Sequence, residues 1–123
     1  MSTLALNSFR HVYSQAAGAE WSVLADKSLM CRFVNNGITS RAFFRGNGQW
    51  THTVSGYNED KLDASVSDRV RCAYYNSSIT YVEEIDMPNS EPVYIVEIQD
   101  RRSIKKLRVD KEEIEVIREL YKQ

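Results

Sequence analysis

The alternation of hydrophobic and polar residues predicts two helices, each followed by a set of strands. Over residues 4–16, apolar side chains recur at spacings of three and four, as on one face of a helix. The same spacing indicates a second helix over 59–75, where Asp60 and Asp63 fall in the first turn and suit the helix dipole. The predicted apolar stripes are Leu6, Phe9, Tyr13 and Ala16 in the first helix and Leu62, Val66, Val70, Ala73 and Tyr74 in the second.

Strand segments follow each predicted helix, with apolar residues at every second position. The first set is interrupted by Asn36-Gly37 and Asn47-Gly48, two dipeptides typical of type I′ hairpin turns. The predicted strands are 19–25, 29–34, 38–45, 50–54, 79–85, 93–100 and 103–109.

The C-terminal segment DKEEIEVIRELYKQ fits two structures. Ile114, Ile117 and Tyr121 have helical spacing, whereas the β-branched residues among 114–117 favour a strand. We expect a short strand with a frayed or helical end.

The glycines of the segment AFFRGNGQWTHTVSGY raise the question of a phosphate-binding loop. Such a loop needs a helix directly after the glycines, so that backbone N–H groups and the helix dipole converge on the anion. Here Thr51, Thr53 and Val54 continue as a strand, and no Lys-Ser or Lys-Thr pair follows. The segment is therefore predicted to be a hairpin.

Helix, short strand and long hairpin occur twice in the same order, with an offset of about 63 residues. Phe33 aligns with Val96, and Phe44 with Val109. Each half alone would leave an apolar sheet face exposed, so the halves are expected to share one core. The predicted fold class is α+β. Two tandem helix–strand–hairpin repeats, about 4–56 and 59–121, form one antiparallel sheet in a single domain, 1–123, with both helices packed on one face.

Composition changes this picture little. Of the 123 residues, 42% are hydrophobic and 27% charged, as in folded soluble domains, and the net charge of −1 creates no overall field that attracts nucleic acid or a membrane. No apolar run approaches the roughly 18 residues of a membrane helix. The start, MSTLALNSFRHVY, lacks the charged leader and long apolar stretch of a signal peptide. The chain is either cytoplasmic or the mature form of an exported protein.

Aromatic and glycine residues along nearly the whole chain resemble the PepSY-like, beta-lactamase-inhibitor-like proteins that are common in Bacteroidetes. In that family a Phe-x-x-x-Tyr helix end leads to a strand with Trp eight residues after the Tyr, and an aromatic strand, a Gly turn and a further Trp follow. The matching residues are Phe9, Tyr13, Trp21, Phe44, Gly48, Trp50, Leu62, Val66, Val70 and Tyr75. The resemblance implies one PepSY-like domain exported to the periplasm or surface, with its leader absent from this chain. It also implies a sheet face that holds a protein, as in the namesake inhibitor.

No motif in the sequence predicts catalysis. Cys31 and His52 are the thiol and imidazole considered for a pair across adjacent strands, but Cys31 shares its side with core residues. Glu83 and Glu84 point to opposite faces of a strand, so they do not form a carboxylate couple. Cys72 completes no metal-binding spacing. We expect a non-enzymatic protein without cofactor or metal.

The residues predicted to point away from the helices suggest a binding surface. If Phe33 and Phe44 face the helices, neighbouring cations and Phe43 face the opposite way, and open faces with Arg and aromatic residues are typical of protein interfaces. The predicted contacts are Arg32, Arg41, Phe43, Arg45, Lys106 and Arg108. A protein or peptide partner is expected. Two alternatives remain open: a solvated face with scattered cations, and a cytoplasmic structural or nucleic-acid-associated protein that uses the basic segment DRRSIKKLR.

Overall fold

A computed structural model describes residues 3–13 and 17–123. Across these two ranges, two α-helices combine with eight strands in antiparallel pairing, which confirms the α+β class. The elements are α1 (Thr3–Val12), β1 (Ala17–Val23), β2 (Leu29–Asn35), β3 (Ile38–Phe44), β4 (Trp50–Tyr57), α2 (Ala64–Ala73), β5 (Ser78–Asp86), β6 (Val93–Gln99), β7 (Ser103–Val109) and β8 (Ile114–Tyr121). None of the helices in the described part of the chain has the length and apolar character needed to span a membrane.

The chain divides into two compact units. Unit 1 comprises Met1–Ser55 with Asp86–Ser90, and unit 2 comprises Gly56–Ile85 with Glu91–Gln123. Unit 1 thus contains α1, β1 to β3 and most of β4. Unit 2 contains α2 and, apart from Asp86, β5 to β8. Within each unit, consecutive strands pair with one another in the order of the chain.

The core of unit 1 lies between α1 and one face of its strands. Phe33 is only 1% exposed, and its ring lies 5.0 Å from that of Phe9 and 4.7 Å from that of Tyr13, measured between centroids. The buried members of this core are Ala5, Phe9, Leu29, Cys31, Phe33, Ala42 and Phe44. The alternation along β2 and β3 therefore predicted the buried side of both strands correctly.

One buried hydroxyl joins two aromatic side chains at the margin of this core. Thr53 accepts hydrogen bonds at its Oγ1 from the Tyr13 hydroxyl (2.6 Å) and from Nε1 of Trp50 (2.9 Å). Both donors are amphipathic aromatic groups that need a polar partner when they are buried. Thr53 thereby fixes the orientation of two rings that cover the core.

The two predicted hairpin turns differ in type. Asn36 and Gly37 have φ angles of 54° and 77°, so the predicted type I′ turn is confirmed. The second hairpin is present, but its type I′ turn was a wrong prediction, because only Gly48 (φ 93°) has a positive φ there. The Gly48 N–H donates to the Arg45 carbonyl at 2.8 Å, and the Asn47 side chain accepts from the Gln49 N–H at 3.0 Å. One glycine in the left-handed region is enough to close this longer turn.

The second helix is shorter than predicted. A 3-10 turn, Glu59–Lys61, comes first, and Leu62 is extended, with φ −76° and ψ 139°. Asp63 then caps α2 by accepting a hydrogen bond from the Ser65 N–H at 2.8 Å. Val66 and Val70 are buried as predicted, whereas Ala73 at the helix end is exposed.

The C-terminal segment is a strand throughout Ile114–Tyr121, so its predicted frayed or helical end is wrong. β8 pairs with β7, and it bulges by one residue at Ile117, because Lys106 pairs with Arg118 and Leu107 with Val116. The core of unit 2 includes Val66, Val70, Val82, Val96, Ile98, Leu107 and Val109. The first helix also ends earlier than predicted, at Val12, and the predicted stripe residue Ala16 lies outside the described residues.

Candidate functional site

Two arginines lie side by side on the exposed face of unit 1. Arg32 of β2 and Arg41 of β3 are direct cross-strand partners, and both side chains are exposed. Their chain neighbours Cys31 and Ala42 are fully buried on the opposite face. The arginine pair concentrates positive charge at this surface. Like charges directly opposite each other on a sheet also repel one another.

A stacked aromatic pair lies beside the arginines. The rings of Phe43 and His52 have centroids 4.5 Å apart and planes inclined by 11°. Phe43 is the cross-strand partner of Met30 on one side and of His52 on the other. Both rings are half-buried, so the face offers a flat apolar area next to its cations.

Hydrogen bonds hold the imidazole of this pair in one orientation. The Thr51 hydroxyl donates to the Phe43 carbonyl at 3.0 Å, and its oxygen lies 3.0 Å from Nδ1 of His52. A hydroxyl has one proton to donate, so Nδ1 of His52 is the donor in the second bond. Burial lowers the pKa of His52, which favours the neutral imidazole, here with its proton on Nδ1.

We call this surface the Arg–Phe face and define it as Met30, Arg32, Arg41, Phe43, His52 and Val54, all in unit 1. Val54 belongs to it because it is the cross-strand partner of Arg41. Sequence reasoning placed Arg32, Arg41 and Phe43 on one side but did not assign His52 to their surface. The two-residue period along β4 was the available signal, because it places His52 on the face opposite to the buried Thr53.

A depression borders the Arg–Phe face where β1 bulges away from regular pairing. Gly18 has a φ of 66°, and the register of β1 with β2 shifts between Ala17 and Glu20. The resulting cavity has a volume of about 230 Å³. It is lined by Gly18, Glu20, Arg32, Phe33, Val34 and Thr39. Arg32 therefore adjoins a concave site as well as the flat aromatic area.

Arg45, the fourth predicted contact in unit 1, lies in the turn after β3 rather than in the strand. Its backbone N–H donates to the Gln49 carbonyl at 2.8 Å, and its guanidinium lies 3.5 Å from the Gln49 side-chain oxygen. Its side chain is exposed, but the turn residue Gln49 partly engages it. We therefore do not include Arg45 in the Arg–Phe face.

The two predicted contacts of unit 2 have acidic neighbours. Lys106 lies opposite Glu97 of β6, and Arg108 lies opposite Glu115 of β8. Arg108 also forms an ion pair with Asp110, with 2.7 Å between nitrogen and oxygen. Cross-strand register thus places carboxylates among the cations of this unit, and the role of Lys106 and Arg108 as contacts stays a prediction.

Asp110 itself is strongly acidic. Hydrogen bonds from the Glu113 N–H, the Arg108 side chain and the Glu112 N–H lower its pKa to about 2. In the same unit, a cavity of about 480 Å³ beside the start of α2 is lined by both acidic and basic residues. One of its cations, Arg69, already donates to the Asp110 carbonyl at 2.7 Å.

The residues considered for catalysis do not come together. Cys31 is buried opposite Ala42, whereas His52 lies on the other face against Phe43, so thiol and imidazole cannot meet. Burial raises the pKa of the Cys31 thiol to about 11, which suppresses the nucleophilic thiolate. Within residues 3–13 and 17–123, no cluster of His, Cys, Asp or Glu is arranged to hold a metal ion.

The chain matches no family model and no curated protein. It is similar in structure to a DUF2874 family protein from Bacteroides ovatus, with 20% identity, a TM-score of 0.73 and coverage of 97% of this chain and 86% of that one. A predicted periplasmic protein from Bacteroides eggerthii gives 19% identity, a TM-score of 0.69 and coverage of 98% and 88%. A BLIP-like protein from Bacteroides fragilis gives 16% identity, a TM-score of 0.76 and coverage of 98% and 85%.

These likenesses show a shared fold. They agree with the resemblance to BLIP-like proteins of Bacteroidetes, whereas none of the three neighbours carries the PepSY name.

Proposed function

We propose that this protein is a small exported module without enzymatic activity that binds a protein or peptide through the Arg–Phe face. The observation that carries the proposal is the exposed cross-strand pair of Arg32 and Arg41 beside the stacked rings of Phe43 and His52. Arginine and aromatic side chains are the residues that contribute most to protein interfaces.

The electrostatics of the face favour a partner with carboxylates. Each arginine has the other as a like-charged cross-strand neighbour. On their other sides, Glu20 of β1 lies opposite Arg32, whereas the neutral Val54 lies opposite Arg41, so Arg41 has no acidic cross-strand partner. A carboxylate from a partner would relieve this repulsion and accept bidentate hydrogen bonds from a guanidinium. The stacked rings would supply the apolar contact area beside it.

The structural neighbours support the remaining parts of the proposal. One is a predicted periplasmic protein, which suits an exported module. Another is BLIP-like, which suits an inhibitor-type fold that acts by holding a protein rather than by catalysis. We also propose that Arg45, Lys106 and Arg108 make weaker contacts. Gln49 and Asp110 already engage the two arginines, and Glu97 lies opposite Lys106 in the strand register.

An affinity-capture experiment tests the proposal. Immobilised wild-type protein and the variant Arg41→Glu/Phe43→Ala are incubated with a periplasmic extract of a Bacteroides strain, and bound proteins are quantified by mass spectrometry. A matched control, Arg101→Glu/Tyr75→Ala, makes the same charge reversal and a similar aromatic-to-alanine change at exposed positions outside the strands.

We expect one or a few proteins to bind the wild type and the control equally and to be reduced at least tenfold on the Arg41→Glu/Phe43→Ala variant. Equal recovery on all three would contradict the proposal. Recovery of RNA with strong salt dependence, instead of a protein, would favour the nucleic-acid alternative.

A further inference from the structure

The strand β8 presents an unpaired edge with exposed apolar side chains. It pairs with β7 on one side, and across the described residues no strand pairs with its other side. Backbone N–H and C=O groups at such an edge are available to a further strand. The exposed apolar side chains of β8 are Val116 (42%), Ile117 (49%), Leu120 (48%) and Tyr121 (75%).

A bulge places two opposite charges of β8 on the same face. Glu115 lies opposite Arg108, and Arg118 lies opposite Lys106. Arg108 and Lys106 are two residues apart on a regular strand and so point to one face. Glu115 and Arg118 therefore share that face although they are three residues apart, because the bulge inserts one extra residue between them.

Among the described residues, neither charge has an ion-pair partner. Arg118 has the like charge of Lys106 as its cross-strand neighbour, and Arg108, opposite Glu115, is engaged by Asp110. The side chains of Glu115 and Arg118 are both exposed, so a charge from outside the chain can reach each of them.

We infer that β8 pairs antiparallel with β8 of a second copy of this chain, so that Glu115 of each copy lies opposite Arg118 of the other. A two-fold axis perpendicular to the sheet keeps each face on its own side, and such an interface is self-complementary. In this register the two ion pairs form on one face, and Val116 of each copy lies opposite Ile117 of the other. β8 therefore carries both partners of each ion pair, so a second copy of this chain is the strand that complements its charges.

Sedimentation velocity of the full chain over a range of concentrations tests this inference. The buffer contains a thiol reductant, because Cys72 is exposed and a disulfide between copies would imitate the dimer. The variants are Glu115→Arg and Arg118→Glu, measured alone and as an equimolar mixture. Glu112→Arg, a charge reversal at an exposed position just before β8, serves as the control.

We expect the wild type and the control to dimerise with equal dissociation constants. Each single variant should weaken dimerisation about tenfold, because two symmetry-related pairs change from opposite to like charges. The mixture should form a heterodimer at least as stable as the wild-type dimer, since each Arg then faces a Glu. If either reversal lowers the melting temperature, Glu115→Gln and Arg118→Gln replace them and should weaken the dimer less.

A wild type that stays monomeric at all concentrations would overturn the inference. So would a dimer whose dissociation constant is the same in the wild type, in both single variants and in their mixture.

Discussion

Phe43 and His52 stack across β3 and β4 with 4.5 Å between ring centroids and 11° between ring planes. Neighbouring residues on the same strands, Ala42 and Thr53, point into the core. The packing of Ala42 and Thr53 in the core therefore fixes the strand positions that carry both rings, while the rings themselves lie at the surface. Such a pair presents apolar area at little cost in side-chain entropy on binding, which suits an interface.

The first prediction concerns the pH dependence that His52 contributes. Burial lowers its pKa in the folded state below the ordinary value of 6.5, so the unfolded chain binds more protons at mildly acidic pH. The contribution of His52 to the free energy of unfolding is fully present above 6.5, its pKa in the unfolded chain, and is lost as the pH falls below that value. We expect the free energy of unfolding, measured by urea titration, to fall less between pH 7.5 and 5.5 in His52→Gln than in the wild type.

Equal pH slopes for the wild type and His52→Gln would contradict this expectation. The carboxylates with lowered pKa values, such as Asp63 and Asp110, do not interfere. Their contribution is present above the unfolded pKa of 3.8 and is lost only as pH falls below it.

The second prediction concerns the buried hydroxyl of Thr53, which is 1% exposed and accepts from Tyr13 and Trp50. Thr53→Val keeps the shape but leaves two donors without their acceptor, so it should lower the free energy of unfolding by about 2 kcal/mol. Thr53→Ser keeps the hydroxyl and loses a methyl group, at about 1 kcal/mol. Chemical denaturation should therefore find the valine variant less stable than the serine variant, and the opposite order would show that packing outweighs the hydrogen bonds.

The third prediction tests which side of β2 faces the core. Phe33→Ala should lower the free energy of unfolding by about 3–5 kcal/mol, because the ring packs between Phe9 and Tyr13. Val34→Ala is the matched control, since Val34 is the next residue and is 42% exposed. Its effect should stay below about 1 kcal/mol. Comparable losses for the two variants would contradict the assigned inner face.

The fourth prediction concerns the cap of α2. Asp63→Ala removes the acceptor of the Ser65 N–H and should lower the free energy of unfolding at pH 7. Asp68→Ala, within the same helix and exposed, should leave stability unchanged or raise it, because alanine is the better helix former. Hydrogen bonds from the Ser65 side chain and backbone lower the pKa of Asp63, so its contribution should vanish in strong acid. A loss of equal size for both variants would show that the cap is not the cause.

The sequence predicted which residues face inward, because a two-residue period along β2 and β3 separates Phe33 from Arg32 without knowledge of partners. It did not predict the start of α2, because the tendency of Leu62 to be extended between two helical turns is not visible in the apolar spacing. The type of the Asn36-Gly37 turn was predicted correctly, but the type of the Asn47-Gly48 turn was not. The second turn needs one left-handed residue instead of two, and an Asn-Gly dipeptide is compatible with both turn types.

The candidate site was predictable only in part, because its composition depends on register. Alternation placed Arg41 and Phe43 on one side, but the neighbour of Phe43 on β4 is His52 only through the observed pairing. Likewise, the carboxylate of Glu97 beside Lys106 follows from pairing across strands and not from either segment alone. The bulge in β8, which brings Glu115 and Arg118 to one face, has no sequence signal that we recognise.

Photo-crosslinking at Phe43 is the sharpest test of binding through the Arg–Phe face. The photoreactive amino acid benzoylphenylalanine replaces Phe43 in one sample and the exposed Tyr75 in another, and each is irradiated in the periplasmic extract of a Bacteroides strain. Binding through the Arg–Phe face should give a discrete protein adduct from position 43 that disappears when Arg41→Glu is added, and no such adduct from position 75. An adduct from position 75 alone, or one from position 43 that is unaffected by Arg41→Glu, would contradict it.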